Sequence, residues 1–555
     1  MSPRQLPLVS SDSLAEAHPW LRPGFVAAVA ILVYLNSLGN GFALDDVLIV
    51  VENPGLHGLS RAWELLLMPY WPGSDALDRG LYRPFTSLAF AVQWTLGGGS
   101  PLPFHLLNVL LHAGVSVVLY LLLRALVSPR GALVGAVVFA VHPVHVEAVA
   151  NVVGQAELWS GLFVLAAATL YVHRGDAGLS ARRGAAIAIA YGAAMFFKEH
   201  ALVLPALLVL LDLASGRLRR SEDRRRWVPF AALLTGVAAQ YLTLRWIVLG
   251  GSLSGRAAMD LPFLAIPRTR ILTALSVWPE YARLLVFPLD LSAAYDPGTL
   301  LARESFSGIV VFGALLLALG FAATLAPRGW PGWGLGFAWF VLTVLPVSNL
   351  LLPVGTLLGE RTLYLPSVAV GFWTAFAWER VMWKRSVLGR RAAAVALILV
   401  LLAFTWRVAD RNPVWRDNAT LFEVTLRDHP ENFRAHWFQA VRTAEEGDTT
   451  ASAEAWARAR ALFGSNSTFL TQYAIFQRSR GLTDEAAELV DEALRLRPAS
   501  ADAVLLLGLL DLDRGDTVRA RLRVGELTVV GVPGRASTLS DSLALGRRES
   551  GGDFP

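Results

Sequence analysis

The sequence predicts an all-α protein: a polytopic bundle of membrane-spanning helices followed by a short helical solenoid. Three observations predict it. Of 555 residues, 54% are hydrophobic and only 17% are charged, with a mean hydropathy of +0.47, whereas soluble domains carry about 25% charged residues. The apolar excess falls in long blocks between residues 24 and 409, and one crossing takes roughly 20 apolar residues. After residue 410 hydropathy drops and glycine recurs at a fixed period. These features exclude an ordinary cytosolic enzyme and a disordered chain. Cysteine is absent, which excludes disulfides, Zn-thiolate sites and thiol redox chemistry. The net charge of +5 is small, and the arginines cluster beside apolar blocks. That is a topology pattern and not a nucleic-acid-binding stripe.

Residues 1–23 are expected in the cytoplasm, and Met1 to Trp20 lacks the basic start and short apolar core of a cleavable signal. Spans are expected at about 24–39, 103–126, 131–149, 155–173, 184–197, 199–213, 227–249, 306–326, 333–352, 364–379 and 392–409. Arginines gather in five connectors: Arg124/Arg130, Arg174/Arg182/Arg183, Arg217 to Arg226, Arg328, and Arg380 to Arg391. Placing all five in the cytoplasm requires about eleven crossings. It leaves 40–102, 150–154, 198, 250–305, 353–363 and everything after 410 on the other side. The stretch 185–213 is read as two short spans, because one long span would send the arginines from 217 to 226 outside. The apolar stretch 268–290 is read as re-entrant or interfacial, because Pro279, Glu280 and Arg283 interrupt it.

Beyond the membrane domain (24–409), residues 410–534 read as a repeat domain and 535–555 as a frayed tail rich in Ser, Gly and Arg. Gly447, Gly481 and Gly515 lie 34 residues apart, the period of tetratricopeptide repeats. In the clearest unit, 467–500, Gly481 fits the turn between two helices, Ala486 and Ala493 allow close packing, and Pro498 closes the unit. The preceding unit keeps Gly447 and Ala459 but has Ser452 at the first alanine position. Such units bury their apolar faces only by stacking.

Charge near a membrane span is costly unless it pairs or functions, so polar residues on the outer side are the candidates for chemistry. Asp45-Asp46 follows the first span in GNGFALDDVLIV. One carboxylate could take a proton from a hydroxyl while the other orients it or binds a metal; the plainer alternative is a helix N-cap. Tyr82-Arg83-Pro84 offers a planar guanidinium for phosphate, or a snorkelling arginine. In His142-Pro143-Val144-His145-Val146-Glu147 the proline breaks the helix and turns His145 and Glu147 toward the mouth. The spacing differs from the zinc pattern H-E-x-x-H and favours a hydrogen-bonded loop or proton relay over a metal site. Gln155 and Glu157 follow at the start of the next span. Lys198-Glu199-His200 sits at a hairpin apex, where Lys198 pairs with Glu199 or meets an anionic headgroup. In Glu360-Arg361-x-x-Tyr364, Arg361 is another phosphate candidate, or an ion-pair partner of Glu360. All these groups fall on one face by a topology rule that used none of them. Carboxylates, arginines, a lysine and histidines at one membrane surface suit an anionic, lipid-linked substrate.

The blocks GFALDDVLIVVENP, YRPFTSLAFAVQWTLGG, FHLLNVLLHA, HPVHVEAVANVVGQAELWSGLFVLAA, KEHALVLPALLVLLDL and GERTLYLPS occur in this order. Over about residues 24–530 the chain resembles the transmembrane-and-TPR (TMTC-like) O-mannosyltransferase family and its bacterial relatives, within the GT-C glycosyltransferases. The resemblance implies a GT-C bundle of about eleven spans with catalytic acids in the first outer loop. It implies a sugar donor on a polyprenyl or dolichyl phosphate, and inverting transfer without a nucleotide-sugar at the site. Asp45 and Asp46 match the acidic pair, one of them as general base. Tyr82-Arg83-Pro84 is similar to a Tyr-Lys-Pro-Pro stretch whose basic residue meets the lipid phosphate, with Arg and then Phe85 as departures. Glu199 and Arg361 lie in matching blocks without an implied role. Eukaryotic members have many more repeats.

The expected mechanism clamps the donor phosphate with Arg83 and either Lys198 or Arg361, while Asp45 or Asp46 deprotonates an acceptor hydroxyl. The repeat domain holds a peptide acceptor or docks another envelope protein. The expected setting is a bacterial inner membrane with site and repeats periplasmic; the motifs require no cofactor, and a divalent metal stays open. Rival readings keep the fold but glycosylate a glycolipid or polysaccharide, or make the chain a transporter or a non-catalytic scaffold.

Overall fold

A computed structural model describes residues 20–73, 80–174, 179–215, 221–253, 261–325, 331–529 and 536–543. Of the basic connectors, Arg217 to Arg220 and Arg328 lie outside these residues, as do the side chains of Arg224 to Arg226 and most of the expected N-terminal segment and tail. The described residues are helical, with one isolated bridge between Tyr295 and Leu358 and no strand.

The first part of the chain runs through α1 (Leu21–Tyr34), α2 (Pro84–Gly97), α3 (Leu102–Arg124), α4 (Pro129–Ala140), α5 (Val146–Ala150), α6 (Gln155–Val172), α7 (Ala181–Phe197), α8 (Leu204–Ser215) and α9 (Ser221–Val248). It continues through α10 (Pro267–Val286), α11 (Gly308–Leu325), α12 (Pro331–Val344), α13 (Val368–Lys384) and α14 (Val387–Arg411). Among the described residues, Leu21–Gly39, Leu102–Arg124, Val152–Val172, Trp227–Val248 and Val387–Arg416 are long and apolar enough to cross a membrane. The bent pair Pro129–Ala140 and Pro143–Ala150 adds a sixth candidate, and Gly308–Ala322 and Gly332–Val347 are shorter apolar helices. The chain is therefore a membrane protein. The 50° bend of that pair falls at Pro143, whose missing N–H breaks the helical ladder. Ser128, Ser180 and Ser386 cap α4, α7 and α14 with side-chain oxygens, satisfying N–H groups that a helix start leaves open.

Hydrogen bonds sort the helix ends into two sets. At one end, Asn36 and Asn40, after α1, donate to Ala409 O and Asn412 O at the exit of α14. His105, at the start of α3, meets Gly41 O, and His145, after α4, meets Ser367, which precedes α13. At the other end Ser128, before α4, bonds Glu379 in α13, and Arg174, after α6, pairs with Asp212 in α8. Lys198, after α7, pairs with Glu157 at the start of α6. The chain thus reverses direction between α7 and α8, with Lys198 to Val203 at the first end. Helix α2 stays at that end: Thr86 donates to Phe197 O, and Gly97 abuts Pro103. So does α10, whose Thr273 accepts from Arg303 N while Leu285 O meets His142.

The C-terminal part stacks on the first end. After α15 (Asn418–Asp428) come three antiparallel pairs: α16 (Phe433–Glu445) with α17 (Thr449–Leu462), α18 (Ser467–Ser479) with α19 (Thr483–Leu496), and α20 (Ala501–Asp513) with α21 (Thr517–Val529). The recurring glycine has a physical cause. Gly447, Gly481 and Gly515 each follow the first helix of a pair at φ +84°, +77° and +77°, a left-handed turn that side chains with a Cβ resist. Ala440, Ala459, Ala486 and Ala493 are fully buried between the helices. Ser452 fits among them by donating to Ala440 O at 2.7 Å.

Candidate active site

The acidic dipeptide lies in the first loop after α1. Leu44, just before it, has φ +56°, a left-handed conformation unusual for a non-glycine residue and common at functional turns. Its N–H donates to Asn418 Oδ1 at 2.6 Å. The turn separates the two carboxylates. Asp46 points inward, 1% exposed, and accepts from the backbone N–H groups of Ala43, Val152 and Val153 at 3.2, 3.1 and 2.8 Å. Burial outweighs these donors and pushes its carboxyl up to about 7. Asp45 points the other way, into a cleft shared with Glu147, Tyr295 and Arg361.

Arg361 organises the cleft side. Its Nη2 donates to Asp45 Oδ2 at 2.6 Å, its Nε lies 3.4 Å from Glu147 Oε1, and its backbone N donates to Glu147 Oε2 at 2.9 Å. Proline 143 makes this possible, because the bend carries Glu147 from the top of α4 toward the loop that bears Arg361. Two carboxylates on one guanidinium make this half net negative.

The second half gathers around Glu199. Arg83 donates to it with a fork, Nε at 3.0 Å and Nη2 at 2.6 Å, and Arg245 Nη1 lies 3.8 Å away. Lys198 pairs with Glu157, and His200 Nδ1 lies 3.7 Å from the same carboxylate. Arg83, Lys198 and Arg245 face Glu157 and Glu199, so this half is net positive. Glu157 acts electrostatically on both Arg83 and Glu147, which makes the two halves neighbours. Among the described residues no three His, Asp or Glu side chains gather as a metal-ion site would need.

Several expected site residues stand elsewhere. His142 and His145 are fully buried behind the cleft. His142 meets Leu285 O and His145 meets Ser367, inside an aromatic cluster with His112, Phe139 and Tyr364. The proline therefore turns Glu147 toward the mouth but leaves His145 in the core, as a hydrogen-bonded loop. Tyr364 bonds His112 Nδ1, and Tyr82 donates to Leu66 O and stacks on Tyr241; both are buried. Glu360 does not pair with Arg361: it is buried and accepts from Ser292 N and Tyr295 OH at 2.7 and 2.8 Å, while Arg361 reaches Asp45. Lys198 pairs with Glu157 and not with its neighbour Glu199.

The sequence reading gave no role to Arg245, Tyr70 or the cleft wall built from Phe433, Arg434, Phe463 and Asn466. It also missed a buried network beneath the site. Gln155 donates to Gln93 and Asn108, and Asn108 donates to the carbonyls of Val149 and Asn151. Three amide side chains in otherwise apolar helices were the available signal, since buried polar groups must find partners. The network holds the 151–155 turn whose N–H groups receive Asp46.

No family model matches the chain. Among curated proteins it is 30% identical over 439 residues to the mouse Protein O-mannosyl-transferase TMTC3, covering 73% of this chain and 47% of that one. It is 28% identical over 478 residues to the human Protein O-mannosyl-transferase TMTC4, covering 77% and 64%. Over most of its length the chain is similar to the TMTC protein O-mannosyl-transferases, at 24–30% identity. It spans about half of the TMTC3 length and under two thirds of TMTC4. Among solved structures, an archaeal oligosaccharyltransferase AglB from Archaeoglobus fulgidus, in complex with an inhibitory peptide and a dolichol-phosphate, matches with a TM-score of 0.40 and 14% identity. That match covers 78% of this chain and 60% of AglB, at a score too low to establish a shared fold.

Proposed function

We propose that this chain is a membrane glycosyltransferase of the GT-C type. It moves a hexose, with mannose the first candidate, from a polyprenyl-phosphate donor to an acceptor hydroxyl. In this reading residues 24–409 cross the membrane about eleven times, 410–534 form a tetratricopeptide-repeat domain, and site and repeats share the non-cytoplasmic side, periplasmic in a bacterial inner membrane. The Arg174–Asp212 end lies opposite the Asp45 end, which supports that orientation under the positive-inside rule.

The charge polarity of the site carries the reading. The net-positive half around Arg83 suits a lipid phosphate, and the exposed apolar run Trp63, Leu66, Leu67 and Met68 lies beside it, joined through the bond from Tyr82 to Leu66. The net-negative half suits the acceptor. Asp45 takes the proton of the acceptor hydroxyl as its oxygen bonds the anomeric carbon; the bond from that carbon to phosphate breaks, and phosphate leaves with the electron pair. Arg83, with Lys198 and Arg361 behind it, stabilises the charge that grows on the leaving phosphate. Asp46 acts as the staple that orients the loop. The cleft at Asp45 runs to Phe433, Arg434 and Asn466, which favours an acceptor held by the repeat domain, a protein hydroxyl first. The test is glycan transfer by the purified chain from polyprenyl-phosphate-hexose, together with envelope glycoproteomics with and without the chain. Loss of specific protein glycosylation supports the reading. Altered glycolipid with unchanged protein glycosylation moves the acceptor, and no transfer by an intact chain overturns the enzyme.

A further inference from the structure

Tyr70 packs in an apolar cluster with Ile49, Leu65 and Phe90 and is 3% exposed. Its hydroxyl has no hydrogen-bond partner among the described residues. Buried hydroxyls ordinarily find one, and leaving one unmet costs stability; for packing alone, phenylalanine would serve better here. The position is well held. Tyr70 N donates to Leu81 O at 2.8 Å, and the Arg83 guanidinium carbon lies 5.1 Å from the ring centroid. Arg83 and Arg361 act electrostatically on the hydroxyl, as do Asp45 and Asp46 with opposite sign. The group therefore stands at the seam between the positive and negative halves of the site. Arg83, Lys198 and Arg361 are each engaged by a carboxylate.

We propose that the Tyr70 hydroxyl is a donor-binding group that hydrogen-bonds a phosphate oxygen of the lipid-linked sugar between Arg83 and the Asp45–Arg361 pair. This rests on the glycosyltransferase reading. A phenol supplies an O–H donor without adding charge, so it strengthens phosphate binding while leaving the balance of the paired cations intact.

The test uses the full chain in phosphatidylglycerol nanodiscs, with polyprenyl monophosphate as the probe and Tyr70→Phe as the variant. Affinity is expected to fall roughly tenfold, the effect of one hydrogen bond to a charged acceptor, while the thermal midpoint stays level or rises because an unmet hydroxyl has gone. Unchanged affinity overturns the proposal and leaves the enzyme reading standing. A lowered midpoint also overturns it, because the hydroxyl would then serve the fold. Wild-type chain that fails to bind polyprenyl monophosphate removes both.

Discussion

Asp45 and Asp46 are neighbours in sequence and differ in every physical respect that matters for chemistry. Asp46 spends its lone pairs on three backbone N–H groups, whereas Asp45 shares a cleft with Arg361. Asp45→Asn should reduce transfer by about 10²- to 10⁴-fold, the usual worth of a general base, with an unchanged melting midpoint. Asp46→Asn replaces an acceptor by an amide that turns donor N–H groups toward donors. It should cost about 1–3 kcal/mol of stability, read as a lowered midpoint before any kinetic effect. Equal kinetic losses with equal midpoints would remove the distinction. Glu360 gives a pH signature. Burial raises its carboxyl from 4.5 to about 8, against the opposing charge of Arg411. Between those values the folded chain holds a proton that the unfolded chain releases, so the stability contributed by this group falls as pH rises through that window. Glu360→Gln should flatten that part of the stability–pH curve, measured by thermal shift between pH 5 and about 8.

At the scale of elements, the site is held by helices that approach one another closely. A Cβ on Gly135 would stand 2.5 Å from Gly371 O and 2.8 Å from Leu123 Cδ1, so α4 and α13 touch through backbone. Helix α4 leads to Glu147, and α13 follows the Arg361 segment. Gly135→Ala should force the helices apart at a cost of about 1–3 kcal/mol and loosen the Glu147–Arg361 contact. A lowered midpoint together with reduced transfer would show it; a loss-free variant would show that the contact yields. Periodicity made elements of this kind readable in advance. Apolar blocks mark helices through the cost of exposed backbone in lipid, and Gly447, Gly481 and Gly515 mark turns through their left-handed backbone. Which polar residue of a motif faces the cleft was not readable, because a one-residue change in direction at Leu44 or Pro143 decides it. Asp45 and Glu147 turned outward; Asp46, His142 and His145 turned inward.

At the scale of the molecule, the C-terminal helical pairs close one wall of the cleft through Phe433, Arg434, Phe463 and Asn466. Asn432 caps α16 by accepting from Ala435 N and also donates to Ala294 O at 2.8 Å, while Asp296 accepts from Arg434 N at 2.9 Å. The 294–296 loop is thus tied to the start of α16 at the rim of the site. Asn432→Ala removes both the cap and the tie. It should cost about 1–2 kcal/mol and raise proteolytic cutting near residue 430 while donor binding stays unchanged. Resistance to protease equal to wild type would show that the tie is dispensable.

Composition, hydropathy and period were enough to determine a helical membrane protein with a glycine-punctuated C-terminal part, because burial of apolar surface and backbone turn geometry act locally along the chain. Only the tertiary structure decided that Arg83 holds Glu199, that Lys198 holds Glu157 and that Arg361 holds Asp45 and Glu147. Ion pairing falls off within a few ångströms, and partners 41 to 316 positions apart in sequence become neighbours only when the helices that carry them have packed.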